Sequence, residues 1–273
     1  MTRRRWIADE FSADRAILTG AHAAHLARSL RARVGQQFEV ACGERVRRAT
    51  VTSVSDDRVE FTLGEDVAAG ATVPVTLLLA IFKFDRMEWA IEKCTELNVT
   101  AIMPVVARRT EKHLALAAAK RVERWHRIAR EASEQSRRAS PPEIREPMKL
   151  KEALAVLPAE SISPRHAAIP PEGSNSPHAA IPTESFSPSG GTCCSDLRIV
   201  LAESEREVTF RDILRAHENV TSLALAIGPE GGWTVDELHL FEQSQWLAAG
   251  LGDTILRAET AAIAALAVAR SEL

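Results

Sequence analysis

Two short stretches toward the carboxy end hold the residues best suited to chemistry: Ile227-Gly-Pro-Glu-Gly-Gly-Trp233 and Leu251-Gly-Asp-Thr-Ile-Leu-Arg-Ala-Glu-Thr260. Each begins as an apolar run and breaks off in backbone-permissive turn residues. Gly228, Gly231, Gly232 and Gly252 remove side chains where the main chain must bend sharply or come close to a ligand, and Pro229 stiffens the first loop by fixing its own φ. Taken singly, each stretch is equally an ordinary strand-to-helix turn; taken together, they predict one pocket walled by backbone amides and carbonyls. Arg257 directly follows the second loop. Its forked guanidinium cannot serve as a base at neutral pH, but it suits polarising carbonyl oxygens or clamping a phosphate. Glu230 and Glu259 are the nearest carboxylates, readable either as proton acceptors or as ion-pair partners of a nearby arginine.

The elements that must position these loops follow from hydrophobic periodicity. From Val73 the pattern predicts a strand over 75–81, a helix over 85–97 with Met87, Ile91, Cys94 and Leu97 on one face, and a strand over 100–106. This is a βαβ unit. A longer helix follows, with Val122, Trp125, Ala129, Ala132 and Ser136 in one stripe and Pro141-Pro142 expected to end it. Strands over 198–202 and 222–227 alternate with helices near 210–216 and 234–243. Thr234 and Glu237 have the spacing of a capping box, so the second of these helices starts right after the Gly-rich loop. A last apolar helix spans 261–269, with Thr260 at its opening and its hydroxyl within reach of the same pocket. Residues 1–72 read differently, as short alternating segments over 37–41, 49–54 and 58–63 with one helix over 20–30, after which Val34-Gly35 turns the chain back into strand. That is a small β-rich unit. The chain therefore divides into domains 1–72 and 73–273.

Composition excludes several classes. Hydrophobic residues at 45% and charged residues at 26% are ordinary for a globular protein, and the net charge of -3 hides a local basic excess between Arg108 and Lys151 that suits phosphate. The four cysteines Cys42, Cys94, Cys193 and Cys194 have neither metal-ligand spacing nor a disulfide pattern. No metal is expected. No signal peptide or membrane-length apolar run is present, which predicts a cytoplasmic protein. Tyrosine is absent, so base stacking would fall to other rings, with Trp6 and Trp233 the candidates nearest the expected binding surfaces. Residues 158–195 stand apart: Ser163-Pro-Arg-His-Ala-Ala-Ile-Pro170 nearly repeats as Ser176-Pro-His-Ala-Ala-Ile-Pro182 in a Ser/Pro-rich background, which reads as a surface insertion. His166 and His178 lie within that repeat, and an unselected duplication accounts for them more simply than a metal site.

The two Gly-rich stretches, with four further blocks, resemble the RsmE-type 16S ribosomal RNA methyltransferases, which form 3-methyluridine and belong to the SPOUT class of S-adenosylmethionine-dependent enzymes. The blocks are His25-Leu26 with Arg28-Ser-Leu-Arg31 and Val34-Gly35; Lys83-Phe-Asp-Arg-Met-Glu88 with Lys93-Cys-Thr-Glu-Leu97; Arg124-Trp-His-Arg-Ile128; and Glu131-Ala-Ser-Glu-Gln-Ser136 with Arg138. The likeness spans nearly the whole chain and departs at Asn98 and Arg137, where glycine is expected, and across the insertion.

The resemblance implies an α/β fold: a carboxy-terminal SPOUT domain with a deep trefoil knot, a small amino-terminal PUA-like β-barrel that places RNA, and a homodimer. It also implies S-adenosyl-L-methionine bound by Ile227, Gly228, Pro229, Gly231, Gly232, Leu251, Gly252, Ile255, Leu256, Arg257 and Thr260. Methylating N3 of uridine requires the base's proton to leave and the anion to be stabilised, for which Arg257, Arg138 and Glu230 are the candidate catalytic residues. Arg3, Arg4, Arg5, Arg28, Arg31, Arg33, Arg108, Arg109 and Arg124 form the expected footprint on 16S ribosomal RNA of the small subunit. His25 reads as a packed or capping residue. Two other readings stay open: a ribose 2′-O methyltransferase on the same cofactor fold, and a ribosome-assembly protein that binds RNA without catalysis.

Overall fold

The computed structural model describes residues 5–43, 45–67, 72–157, 195–217 and 219–273. Arg3, Arg4, His166, His178, Cys193 and Cys194, with nearly all of the Ser/Pro-rich insertion, lie outside the described residues.

The amino-terminal strands β1 (Trp6–Ile7), β2 (Glu10–Phe11), β3 (Arg15–Thr19), β4 (Gln37–Cys42), β5 (Arg45–Val54) and β6 (Arg58–Val67) form one sheet in the order β1-β4-β5-β6-β3-β2. The three longest match the expected alternating segments, extended by up to four residues. Between β1 and β2 the chain passes from one edge of the sheet to the other, since the Ala8 N–H bonds Ala41 O on one side and the Asp9 N–H bonds Ile17 O on the other. The sheet thus curls until its edges adjoin, around a core of Trp6, Leu18, Leu26, Val40, Val51 and Phe61. The expected helix is a short α1 (Gly20–Ala24) that continues as a π-turn over His25–Ser29.

The second sheet contains β7 (Val75–Ala80), β8 (Ala101–Val106), β9 (Glu143–Ile144), β10 (Met148–Lys149), β11 (Ser195–Leu201), β12 (Val220–Ile227) and β13 (Leu247–Ala249). The order is β10-β8-β7-β12-β11-β13, β9 also pairs with β8, and every pairing is parallel. Parallel strands need crossovers, and crossing helices cover both faces, so these strands are apolar on both sides. Leu77, Leu79, Leu223 and Leu225 pack on one side against α2 (Phe84–Glu96), α4 (Val122–Gln135), α6 (Phe210–Ala216) and α8 (Ala258–Glu272). Leu78, Ala80, Ala224 and Ala226 pack on the other against α5 (Leu150–Val156) and α7 (Val235–Gln243). A short α3 (Lys112–Ala117) leads by a 3-10 turn into α4. No helix among the described residues is long and apolar enough to cross a membrane.

Three helices of this domain stop on a left-handed residue other than glycine: Asn98 (φ 65°), Arg137 (φ 63°) and Gln245 (φ 61°). The closing bonds are those of Schellman caps, with N–H donors Val99, Arg138 and Trp246 reaching back to the carbonyls of Cys94, Ser133 and Phe241 at 3.0, 2.9 and 3.0 Å. Helix α4 therefore ends at Gln135, not at Pro141-Pro142, because the cap acts first. The two departures from the expected glycines are local backbone costs. Arg137→Gly removes a left-handed penalty and loses only an exposed 3.7 Å ion pair with Glu39. It should stabilise the protein by about 1 kcal/mol, a rise of roughly 2–4 °C in melting temperature. A thermal melt unchanged or lowered would contradict this.

Helix α4 also joins the two sheets. Arg130 Nη2 pairs with Asp9 Oδ1 at 2.7 Å and donates to Ile7 O at 2.9 Å, while fully buried Glu134 pairs with His22 Nδ1 at 3.0 Å and its carbonyl accepts from the Arg5 N–H at 3.2 Å. The Arg5 side chain is taken up at this junction by Glu39, 2.9 Å away, and by Arg137 O.

Candidate functional site

The carboxyl ends of β12, β11 and β13, adjacent in the sheet, open into one shared cleft. Ligands of open parallel sheets collect at such strand ends. Three loops form its wall: 201–206 after β11, Ile227 to Trp233 after β12, and the run from Ala249 to Ala258 after β13, with Ala261 of α8.

Each loop is held by specific bonds. The Gly-rich loop turns at Gly232 (φ 70°), then enters α7 through a complete capping box: the Thr234 hydroxyl accepts the Glu237 N–H, and Glu237 Oε2 accepts the Thr234 N–H at 2.9 Å. The other oxygen of buried Glu237 accepts the Arg108 N–H at 2.8 Å, which ties the loop after β8 to the same point. Arg109 in that loop donates to the carbonyls of Gly231 and Trp233. From the opposite side Arg86 of α2 pairs with Glu230 at 2.5 Å and lies 3.7 Å from buried Glu259. The 201–206 loop is closed by Glu205, whose Oε1 accepts the N–H groups of Glu207 and Val208 at 2.9 and 3.0 Å. Gly250 lies against it so closely that a Cβ there would sit 2.5 Å from Glu205 O.

Most of the expected cofactor positions share this cleft: Ile227, Gly228, Pro229, Gly232, Leu251, Gly252, Ile255 and Leu256 all line it, and Glu230 stands at its rim. Gly231 backs onto Arg109 instead, where a Cβ would come within 3.1 Å of that side chain. Arg257 caps α8 with an exposed side chain between the lining residues Leu256 and Ala258, but does not itself line the cleft. Thr260 is exposed in the first turn of α8, which begins three residues earlier than expected, so Ala258 and Ala261 line the cleft in its place.

Arg138 is displaced furthest from expectation. It donates to Thr95 O at 2.9 Å, near the carboxyl end of α2, whereas the α2 residue that pairs with the cleft's Glu230 is Arg86, about 13 Å back along the helix axis. Burial, with Arg270 nearby, pulls its guanidinium down to about 10, still charged at neutral pH. It is a half-buried helix-end cation beside Arg270, which itself caps α2 through Leu97 O and Asn98 O.

The expected RNA footprint also thins out. Arg28 pairs with Asp56 and Arg124 with Glu88, at 3.0 and 2.8 Å, Arg5 is consumed at the sheet junction, and Arg109 serves loop carbonyls. The side chains of Arg31, Arg33 and Arg108 are exposed with no partner among the described residues. Of the expected stacking rings, Trp6 is a core residue and Trp233 is buried in the cleft wall; among the described residues the exposed Trp and Phe rings are Phe11 and Trp89.

Sequence reasoning missed Glu203, Arg206, Gly250 and Asp253, all in the cleft wall. The strand β13 that presents Gly250 has three residues, too short for a period to register. With acids at Glu203, Glu230 and Asp253 and main chain laid open at Gly228, Gly232, Gly250 and Gly252, the wall suits a cationic ligand read largely by main-chain groups.

Known proteins agree with this geometry. The RNA methyltransferase domain family matches residues 70–270. Ribosomal RNA small subunit methyltransferase E of Bacillus subtilis is 27% identical over 257 residues, covering 91% of this chain and 87% of the relative. The Synechocystis protein of the same name is 30% identical over 251 residues, covering 92% and 71%. The crystal structure of the Neisseria gonorrhoeae ribosomal RNA small subunit methyltransferase E, bound to S-adenosyl methionine, superposes with a TM-score of 0.76 at 25% identity, covering 99% of this chain and 98% of that one. With a curved amino-terminal sheet, a parallel sheet whose strand ends carry a Gly-walled cleft, and end-to-end likeness to these proteins, the chain belongs to the ribosomal RNA small subunit methyltransferase E family.

Proposed function

We propose that this chain transfers a methyl group from S-adenosylmethionine to N3 of a uridine in 16S ribosomal RNA of the small subunit. The observation that carries the reading is the cleft itself, walled by Gly228, Gly232, Gly250 and Gly252 at three adjacent strand ends and rimmed by carboxylates. A sulfonium cofactor fits it, since the missing side chains leave room for close main-chain contacts and the acidic rim favours positive charge. Bound there, S-adenosylmethionine supplies an already electrophilic methyl.

The protein's own residues then have two tasks: holding the loops fixed, and favouring loss of the uridine proton. Glu237, Arg109 and Arg86 do the first, by pinning both ends of the Gly-rich loop. Because Glu230 is engaged by Arg86, we assign it to loop positioning ahead of proton transfer. Arg257 does the second in our reading: its guanidinium, exposed beside the cleft and without a partner among the described residues, would stabilise the O2 or O4 charge of the anion, and the proton passes to solvent. Arg138 has no part in either step within one protomer.

The same reading takes the curled amino-terminal sheet as a PUA-like barrel that places RNA, residues 1–72 and 73–273 as the two domains, the parallel domain as a trefoil-knotted SPOUT fold, and a homodimer as the working form. Incubating the protein with methyl-labelled S-adenosylmethionine and undermethylated small subunits should label the ribosomal RNA. RNA that binds but stays unlabelled would return the reading to a non-catalytic assembly protein.

A further inference from the structure

Besides Arg257, assigned above to the base, the cationic side chains around the cleft fall into two groups. Arg86 and Arg109 are consumed, one by Glu230 and Glu259, the other by loop carbonyls. Arg206 is not. It lines the cleft, is exposed, and has no hydrogen bond or ion pair among the described residues. Its backbone is nevertheless fixed on both sides. The Glu205 N–H bonds Ala202 O at 3.1 Å, the Glu205 carboxylate holds the next two N–H groups beyond Arg206, and the Glu205 carbonyl rests on Gly250. A braced loop thus presents one free guanidinium at the cleft mouth.

An exposed, unpaired arginine in an otherwise acidic wall is free to take an anionic partner. The proposed cofactor is a poor one, since it carries more positive than negative charge and the neighbouring carboxylates Glu203 and Asp253 already suit it. The substrate supplies a better one. A base delivered to a methyl donor inside the cleft carries its backbone phosphates to the rim, and a planar guanidinium recognises phosphate by paired hydrogen bonds. We propose that Arg206 anchors an RNA phosphate at or next to the target nucleotide, orienting the base toward the cleft. This rests on the methyltransferase reading above.

The test compares the full-length protein with Arg206→Gln and Arg206→Lys, on undermethylated small subunits and S-adenosylmethionine. For Arg206→Gln we expect KM for the RNA substrate to rise about tenfold, cofactor Kd by calorimetry to stay within twofold, and the salt dependence of RNA binding to flatten by about 0.7 in log–log slope, the loss of one phosphate contact on a single strand. Arg206→Lys should recover most of the affinity, because a point charge still attracts phosphate. Unchanged RNA affinity and salt slope would overturn the proposal. So would a selective loss of cofactor affinity, which would assign Arg206 to the cofactor's carboxylate. The RNA-binding measurement needs no turnover, so an inactive parent protein would count against the methyltransferase reading while the salt slope still judged Arg206.

Discussion

Adding one methyl group at position 250 should cost the protein most of its cofactor affinity. Gly250 follows β13, exchanges main-chain bonds with Val208 O and the Phe210 N–H at 2.9 Å each, and lines the cleft. A Cβ there would lie 2.5 Å from Glu205 O, a main-chain atom that cannot rotate away as the end of a side chain could. Gly250→Ala must therefore displace either the 201–206 loop or the chain leading to Leu251, and both are cleft wall. Overpacking of this kind costs about 1–3 kcal/mol. If that strain is released by the wall loops moving, S-adenosylmethionine Kd rises by roughly five- to 150-fold. Titration calorimetry reads the effect directly, and a variant that binds within twofold of the parent would remove the 201–206 loop from the site.

The second large effect is expected at Glu237, a residue placed behind the cleft wall and away from any ligand. Its buried carboxylate accepts three bonds: from the Thr234 N–H, from the Thr234 hydroxyl at 2.8 Å, and from the Arg108 N–H. Glu237→Ala dismantles the capping box, at a cost of about 1 kcal/mol, and leaves a partly buried N–H without a partner, at about 1–3 kcal/mol more. A loss near 3 kcal/mol lowers the melting temperature by roughly 6–12 °C in a chain of this size. Glu237→Gln should fall between, since one amide oxygen can still serve either Thr234 or Arg108 but not both. Should Glu237→Ala melt within a degree of the parent, the proposed coupling between the β8 loop and the Gly-rich loop is not a stabilising one.

These cases show where sequence is informative. Period and capping locate most of the parallel sheet and its helices to within a few residues, because apolar strands buried on both faces leave a strong local signal, as does Thr234 with Glu237. The two Gly-rich loops are legible for the same reason: their glycines serve backbone needs visible from order alone. Other features depend on partners far apart in the chain. Arg86 meets Glu230 across 144 positions and Arg109 meets Gly231 across 122, and nothing in the sequence distinguishes these paired arginines from Arg206, which has no partner among the described residues. Arg138 misleads for a related reason. Its block resembles that of the family, yet its side chain is spent at a helix end. Trp6 and Trp233 look like surface rings only until the sheets close over them.

Mass spectrometry of nucleosides tests the central claim most directly. Small subunits from a strain lacking the modification would be incubated with the protein and S-adenosylmethionine carrying an isotopic methyl, and their 16S ribosomal RNA digested to nucleosides. Isotopic label is expected in 3-methyluridine. Label in a ribose-methylated nucleoside instead, or no label in RNA that the protein demonstrably binds, would contradict it.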